Sequence, residues 1–147
     1  MMKDLRIRAA VPSDAPAVGA VLERCGLPTD DVFRVLEHFH VAILESRIIG
    51  CAAGEPFGQT VVIRSVAVLP EHRDRGVATH VVRAALMRAR SNGLRRAVLL
   101  ASSCPSYFAR YGFTLVPASK LPQEVLSSSE FQRHTDTPPL CMWCELS

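Results

Sequence analysis

The sequence predicts an α/β fold in which one mixed sheet carries helices on both faces. Three observations lead there. Residues 97–101, Ala97-Val98-Leu99-Leu100-Ala101, are a continuous apolar run, the signature of a strand buried on both sides. A long amphipathic stretch over 76–91 separates that run from an earlier apolar strand over 60–69. A strand-rich first half is followed by helix, strand, helix, strand, the order expected of sheet-and-helix layers. The 147 residues suffice for one domain over the whole chain, burying roughly 70% of the unfolded surface.

Leu5-Arg6-Ile7-Arg8 alternates apolar and charged residues and opens as a strand. Pro12-Ser13-Asp14 caps a helix with an apolar stripe of Val18, Val21 and Leu22, which ends at Gly26. A second short helix over 29–37 turns Val32, Val35 and Leu36 inward. Strands follow over 41–44 and 47–53, joined by Glu45-Ser46, and Gly58-Gln59 turns the chain into the strand over 60–69. The helix over 76–91 buries Val77, Val81, Val82, Ala85 and Leu86, and Asn92-Gly93 stops it. Beyond the strand over 97–101 come a short helix over 105–110, a strand over 113–116, a helical turn or two over 125–131 and a closing strand over 139–146. There is no repeat, linker or low-complexity segment.

Composition excludes several classes. With 48% hydrophobic and 21% charged residues the chain is globular and not disordered. The net charge of +3 is mild, and Arg83, Arg88, Arg90, Arg95 and Arg96 read as a solvated helix face. Aromatics at 6% are too sparse for a nucleic-acid surface. No run reaches the roughly 20 apolar residues of a membrane span, and charge alternates at the N-terminus where a signal peptide needs an apolar run. A cytoplasmic protein is expected. Five irregularly spaced cysteines argue against a disulfide framework. Cys141 and Cys144, three apart on a strand, should point to opposite faces and not share a metal. His38 and His40 share a face, with no third ligand at sensible spacing.

The stretch from Val66 to Thr79 carries the chemistry. It reads as strand, polar loop, then the start of the long helix, with Arg73-x-x-Gly76-x-Ala78 at the junction. A helix N-terminus offers unsatisfied N–H donors and a partial positive charge, which suit a pyrophosphate. Gly76 permits the backbone turn, and Ala78 and Thr79 are small enough for close approach. A dinucleotide fingerprint would need more glycines and a later acidic residue; a Walker loop would need Gly-Lys-Ser/Thr. Both are absent.

This loop, the element order and Tyr107-Phe108-Ala109-Arg110-Tyr111-Gly112-Phe113 together resemble the GNAT N-acetyltransferases along nearly the whole chain. Gly26-Leu27-Pro28, Glu55-Pro56-Phe57-Gly58, Arg64-Ser65-Val66-Ala67-Val68, Leu121-Pro122, Ser129-Glu130-Phe131 and Cys141-Met142 resemble the small amino-acid and arsenic-resistance-operon-associated branch. The resemblance implies a mostly antiparallel sheet of about six or seven strands, with a V-shaped acetyl-CoA cleft between the strand ends near Val68 and Leu100. It implies that backbone groups of Val66, Ala67 and Val68 hold the pantetheine and carbonyl. Arg73, Asp74, Arg75, Gly76, Val77, Ala78 and Thr79 would cradle the pyrophosphate, with Tyr107 and Phe108 beside the cofactor. The implied reaction is direct acetyl transfer from acetyl-CoA to the primary amine of a small, glutamate-like acceptor. A homodimer is a common outcome in that family, and a protein lysine is not excluded as acceptor.

The proton-handling groups are less constrained. Many members carry a carboxylate where Arg64-Ser65 stands here, so Glu55, at the end of the preceding strand, is the candidate base, directly or through water. It reads equally as a solvated loop-edge glutamate. Arg64, inside an apolar strand, can bind a substrate carboxylate if it faces the site, or else lies on an open sheet face. Many relatives place tyrosine where this chain has Phe108; Tyr107, rotated by about 100° on a helix, is the candidate acid, or packs in the pocket. Ser102, Ser103 and Cys104 are alternatives. Two rival readings follow from these departures: an acyl-CoA-binding module without turnover, and a thiol-based metalloid binder suggested by the five cysteines.

Overall fold

The computed structural model describes residues 4–101, 105–133 and 140–146. Seven strands form one sheet: β1 (Arg6–Ala9), β2 (Phe39–Leu44), β3 (Arg47–Phe57), β4 (Thr60–Val68), β5 (Arg96–Ala101), β6 (Thr114–Leu115) and β7 (Leu140–Glu145). Their spatial order is β1-β2-β3-β4-β5-β7-β6. Every pairing is antiparallel except β4 with β5, so the expected mixed, mostly antiparallel sheet is what forms. The parallel pair needs a crossover, and α3 (Val77–Ser91) supplies it.

The helices α1 (Ala15–Arg24), α2 (Val32–Val35), α4 (Pro105–Ala109), α5 (Gln123–Leu126) and α6 (Ser129–Gln132) complete the fold. α3 lies close on β3 because glycines clear its path: a Cβ on Gly50 would come within 3.1 Å of Val77 Cγ1, and one on Gly54 within 3.5 Å of Ala85 Cβ. The opposite face of the sheet carries α2, α5 and α6. There Val62, Val98 and Cys141 pack with Val116, Leu121, Val125 and Phe131. Cys144 joins Ala97, Leu99, Met142 and Phe113 in a separate cluster, so the two β7 cysteines do lie in different layers.

Several boundaries differ from the sequence expectation: α2 is shorter than 29–37 and β6 shorter than 113–116, and three further differences have a visible cause. β2 starts at Phe39 because His40 pairs with Ala9 and Ala52, extending the ladder upstream. β3 runs to Phe57, not 53, since Gly54 to Phe57 pair with Ile63 to Thr60 across the Gly58-Gln59 hairpin. The turn or two expected over 125–131 is two separate helices, with Ser128 capping the second by accepting from Phe131 N–H at 3.5 Å.

Candidate active site

A register shift in β4 opens the cleft. Between the pairs Cys51↔Ala67 and Ala53↔Arg64, β3 advances two residues while β4 advances three. The extra residue is accommodated at Ser65, whose φ of 55° is left-handed. β4 pairs with β5 only from Thr60↔Arg96 to Ile63↔Leu99. Past that point β4 stays on β3 while β5 stays on β7, so the two central strands part. The V-shaped opening expected from the resemblance is therefore the product of one bulge.

A cavity of about 710 Å³ lies along this opening. It is lined by Val66, Ala67 and Val68 of β4, by Arg73, Asp74, Gly76, Val77, Ala78 and Thr79, and by Tyr107 and Phe108 of α4. Arg75 is the one residue of the predicted cradle outside this lining. Arg73 contributes differently from a phosphate-binding cation. Its Nε donates to Val68 O at 3.0 Å and its Nη2 to Cys25 Sγ at 3.4 Å, fastening the loop to the end of β4 and to the end of α1.

The cavity fits a phosphate-bearing ligand. Gly76, at φ 81°, caps α3, and among the described residues no side chain caps the N–H groups of that helix terminus. The first helical bond there is His80 N–H to Gly76 O, so the N–H groups of Val77, Ala78 and Thr79 have no acceptor within the helix. A Cβ at Gly76 would meet nothing within 4 Å, so the approach to these donors is open. Asp74, at φ 63°, is a second left-handed residue of the loop. Strain of that kind persists where the surroundings hold it, commonly at ligand sites.

Glu55 and Arg64 are brought together, but away from this lining. Both are buried, at 6% and 3% exposure. Glu55 is neither a loop edge nor the end of its strand; it pairs with Val62 inside β3. Arg64 does not lie on an open sheet face. Its Nη1 and Nη2 hold the two oxygens of Asp31 at 2.8 and 2.9 Å, and Nη1 also donates to Glu55 Oε1 at 3.3 Å. Arg34 closes the cluster, donating to Glu55 Oε2 at 3.0 Å, Asp31 Oδ2 at 3.1 Å and Ser129 Oγ at 2.9 Å. The cluster ties α2 and α6 to the sheet beside the bulge. Burial alone raises the Asp31 carboxyl, but hydrogen bonds and charge from Arg64, with Arg133 and Ser129, hold it well below the usual carboxylate range.

Tyr107 sits in the cleft with a partner that sequence reasoning passed over. Its hydroxyl is 2.9 Å from that of Tyr111, which donates to Thr79 Oγ1 at 2.9 Å. The spacing of four between the tyrosines was the available signal. Cys25, Leu27, His72 and Arg110 also line the cavity; Cys25 and Leu27 arrive from a distant part of the chain, so sequence spacing does not place them there. Asp31 and Arg34 were missed for the same reason. Ser102, Ser103 and Cys104 lie outside the described residues. Burial pushes the Cys51 thiol up to about 12 and that of Cys144 to about 11, leaving both poorly nucleophilic. Among the described residues no cluster of three or more His, Cys, Asp or Glu side chains is placed to hold a metal, and no helix is long and apolar enough to cross a membrane.

The geometry can be set beside known proteins. The chain superposes with a TM-score of 0.84 on N-acetylglutamate synthase from Neisseria gonorrhoeae, solved with coenzyme A and N-acetyl-glutamate, at 21% identity over 100% of this chain and 36% of that one. The chain thus spans about a third of that synthase. Rv2747 from Mycobacterium tuberculosis, solved in complex with CoA, gives a TM-score of 0.81 at 24% identity, covering 97% of this chain and 99% of that one. Ard1 from Thermoplasma volcanium gives 0.75 at 17% identity, covering 97% and 98%. These likenesses show the fold. No curated protein sequence matches the chain. The model of the acetyltransferase (GNAT) family matches residues 9–113, which take in the bulged strand, the loop and the Gly112-Phe113 ending. The chain belongs to the acetyltransferase (GNAT) family, whose cofactor is acetyl-CoA.

Proposed function

We propose that this chain transfers the acetyl group of acetyl-CoA to the primary amine of a small, amino-acid-like acceptor, with glutamate the first to test. The observation that carries the reading is the set of N–H groups at the start of α3 with no acceptor among the described residues, opening onto the same cavity as the bulged end of β4. Bound acetyl-CoA supplies a thioester carbonyl for the amine to attack. The N–H groups of Val77, Ala78 and Thr79 would take the pyrophosphate, and backbone groups of Val66 to Val68 would align the pantetheine and polarise the carbonyl. A fixed donor on such a carbonyl is worth on the order of 3 kcal/mol. Tyr107 stands at the other wall as the proton donor. The synthase solved with N-acetyl-glutamate supports an amino-acid acceptor.

Glu55 and Arg64 take a supporting role in this reading. Their charges are spent on Asp31, Arg34 and each other, which steadies the bulge instead of binding substrate. The same observation favours one alternative, an acyl-CoA-binding module without turnover, because Glu55, the predicted base, is held by Arg34 and Arg64 and does not line the cleft. Thiol release from acetyl-CoA, measured with L-glutamate, L-glutamine, other amino acids, polyamines and a lysine peptide, decides between them. Amine-dependent release led by amino acids is expected. Binding without release for any amine would give the alternative, and preference for the peptide would overturn the small acceptor.

A further inference from the structure

The loop between β4 and α3 carries Glu71, Arg73, Asp74 and Arg75, and the first two of these charges are spent inside the fold. Arg24 of α1 donates to both oxygens of Glu71, at 2.9 and 3.1 Å. Arg73 donates to Val68 O and Cys25 Sγ. Asp74 is different. Its side chain is exposed, and among the described residues its carboxylate takes part in no hydrogen bond or ion pair. It lines the cleft two residues ahead of Gly76, the N-cap of α3. Arg75 also has no partner among the described residues, but it lies outside the lining.

The backbone gives no reason for an aspartate here. At φ 63° Asp74 is left-handed, where glycine is the residue without penalty. Asp and Asn are tolerated in that region chiefly because a short side chain can bond to nearby backbone, yet no such bond steadies Asp74. Its charge is left to act on what enters the cleft. A pyrophosphate seated on the N–H groups of Val77, Ala78 and Thr79 is itself anionic and lies within range of a unit charge on the same loop. His72 and Arg110 line the cleft as well, the Arg110 guanidinium lying 4.8 Å over the Tyr107 ring, and neither bonds to Asp74.

We propose that Asp74 sets the strength of cofactor binding by repulsion: its carboxylate opposes the pyrophosphate held by the start of α3 and hastens the departure of CoA after transfer. This rests on the pyrophosphate placement proposed above. Acetyl-CoA and CoA carry the same phosphates, so the repulsion acts on substrate and product alike. Binding both less tightly raises the KM for acetyl-CoA and relieves inhibition by CoA, while the chemical step is untouched. A row of free backbone donors would otherwise hold the product as firmly as the substrate, and one unpaired carboxylate offsets part of that grip.

The test is calorimetric titration of the full chain, as wild type, Asp74→Asn and Asp74→Gly, with acetyl-CoA, CoA and dephospho-CoA, each with and without magnesium. Asparagine keeps the shape and tolerates the left-handed backbone while removing the charge; glycine removes charge and backbone penalty together. Both variants should bind acetyl-CoA and CoA about fivefold more tightly at low salt, the scale of one unit charge acting across part-exposed surface. The gain should shrink below about twofold at about 1 M salt, where the screening length is about 3 Å. Dephospho-CoA should gain as much as CoA, because it keeps the pyrophosphate. Unchanged or weaker binding by Asp74→Asn overturns the proposal, as does a gain confined to ligands with the 3′-phosphate. Tightening by glycine but not by asparagine would trace the effect to the backbone. Magnesium that tightens wild type but not Asp74→Asn would make the carboxylate a cation holder. Either result overturns the repulsion and leaves the cofactor site standing. A wild type that binds neither acetyl-CoA nor CoA, or a Gly76→Glu variant that binds both as well as wild type, brings down the pyrophosphate placement itself.

Discussion

Asp31 accepts two of the three hydrogen bonds that Arg64 gives to carboxylates, and its side chain is only 10% exposed. A buried guanidinium left short of a counter-charge is costly, so Asp31→Asn should destabilise the fold by on the order of 2 kcal/mol at neutral pH. The sign with pH follows from the depressed carboxyl. Its folded form holds the charge more firmly than the unfolded chain does, so the contribution is complete above the ordinary carboxylate range, about 4. It drains as pH falls below that value toward the lower folded one. Urea unfolding across pH should show wild type and Asp31→Asn far apart at pH 7 and converging below about 4. A gap that stays constant down to pH 2.5 would remove the ion pair from the account. At this scale the sequence spoke unevenly. The turn at Gly76, Ala78 and Thr79 was legible because a strand-to-helix junction is local, whereas Asp31 and Arg64 lie 33 positions apart and only the folded sheet introduces them.

Elements were legible wherever their pattern was periodic and long. α3, β5 and β7 stand where apolar spacing places them, because their buried faces are written into consecutive residues. β3 was read short, since Gly54 and Pro56 disfavour a strand on propensity alone and only pairing with β4 holds them extended. Propensity also hides the reason for the glycines on β3, which is helix packing. A side chain at Gly50 would meet Ala67 O at 3.1 Å and Val77 Cγ1 at 3.1 Å. Gly50→Val should therefore push α3 off the sheet and cost about 1–3 kcal/mol, with weaker acetyl-CoA binding if α3 carries the pyrophosphate donors as proposed. Chemical unfolding and ligand titration of that variant check both effects. Unchanged stability would mean α3 has slack that the packing distances deny.

For the whole molecule, the register shift between β3 and β4 decides where the cleft lies. Six pairings hold seven strands together, and the one parallel pairing stops at Ile63↔Leu99, where the bulge at Ser65 bends β4 aside. The start of α3 and Tyr107 both line the space this leaves. The mixed sheet with helices on both faces was legible from element order. The bulge was not, because nothing in Arg64-Ser65-Val66 announces a left-handed serine. The measurement that bears most directly on the central claim is thermal unfolding of wild type and Gly76→Glu with acetyl-CoA, with CoA and with neither. At 100 times its dissociation constant, a bound ligand stabilises by roughly 2.7 kcal/mol. The account predicts that wild type shifts with both ligands while Gly76→Glu, with a carboxylate set among the pyrophosphate donors, shifts with neither. A wild type that does not respond, or a variant that responds as strongly, would contradict it.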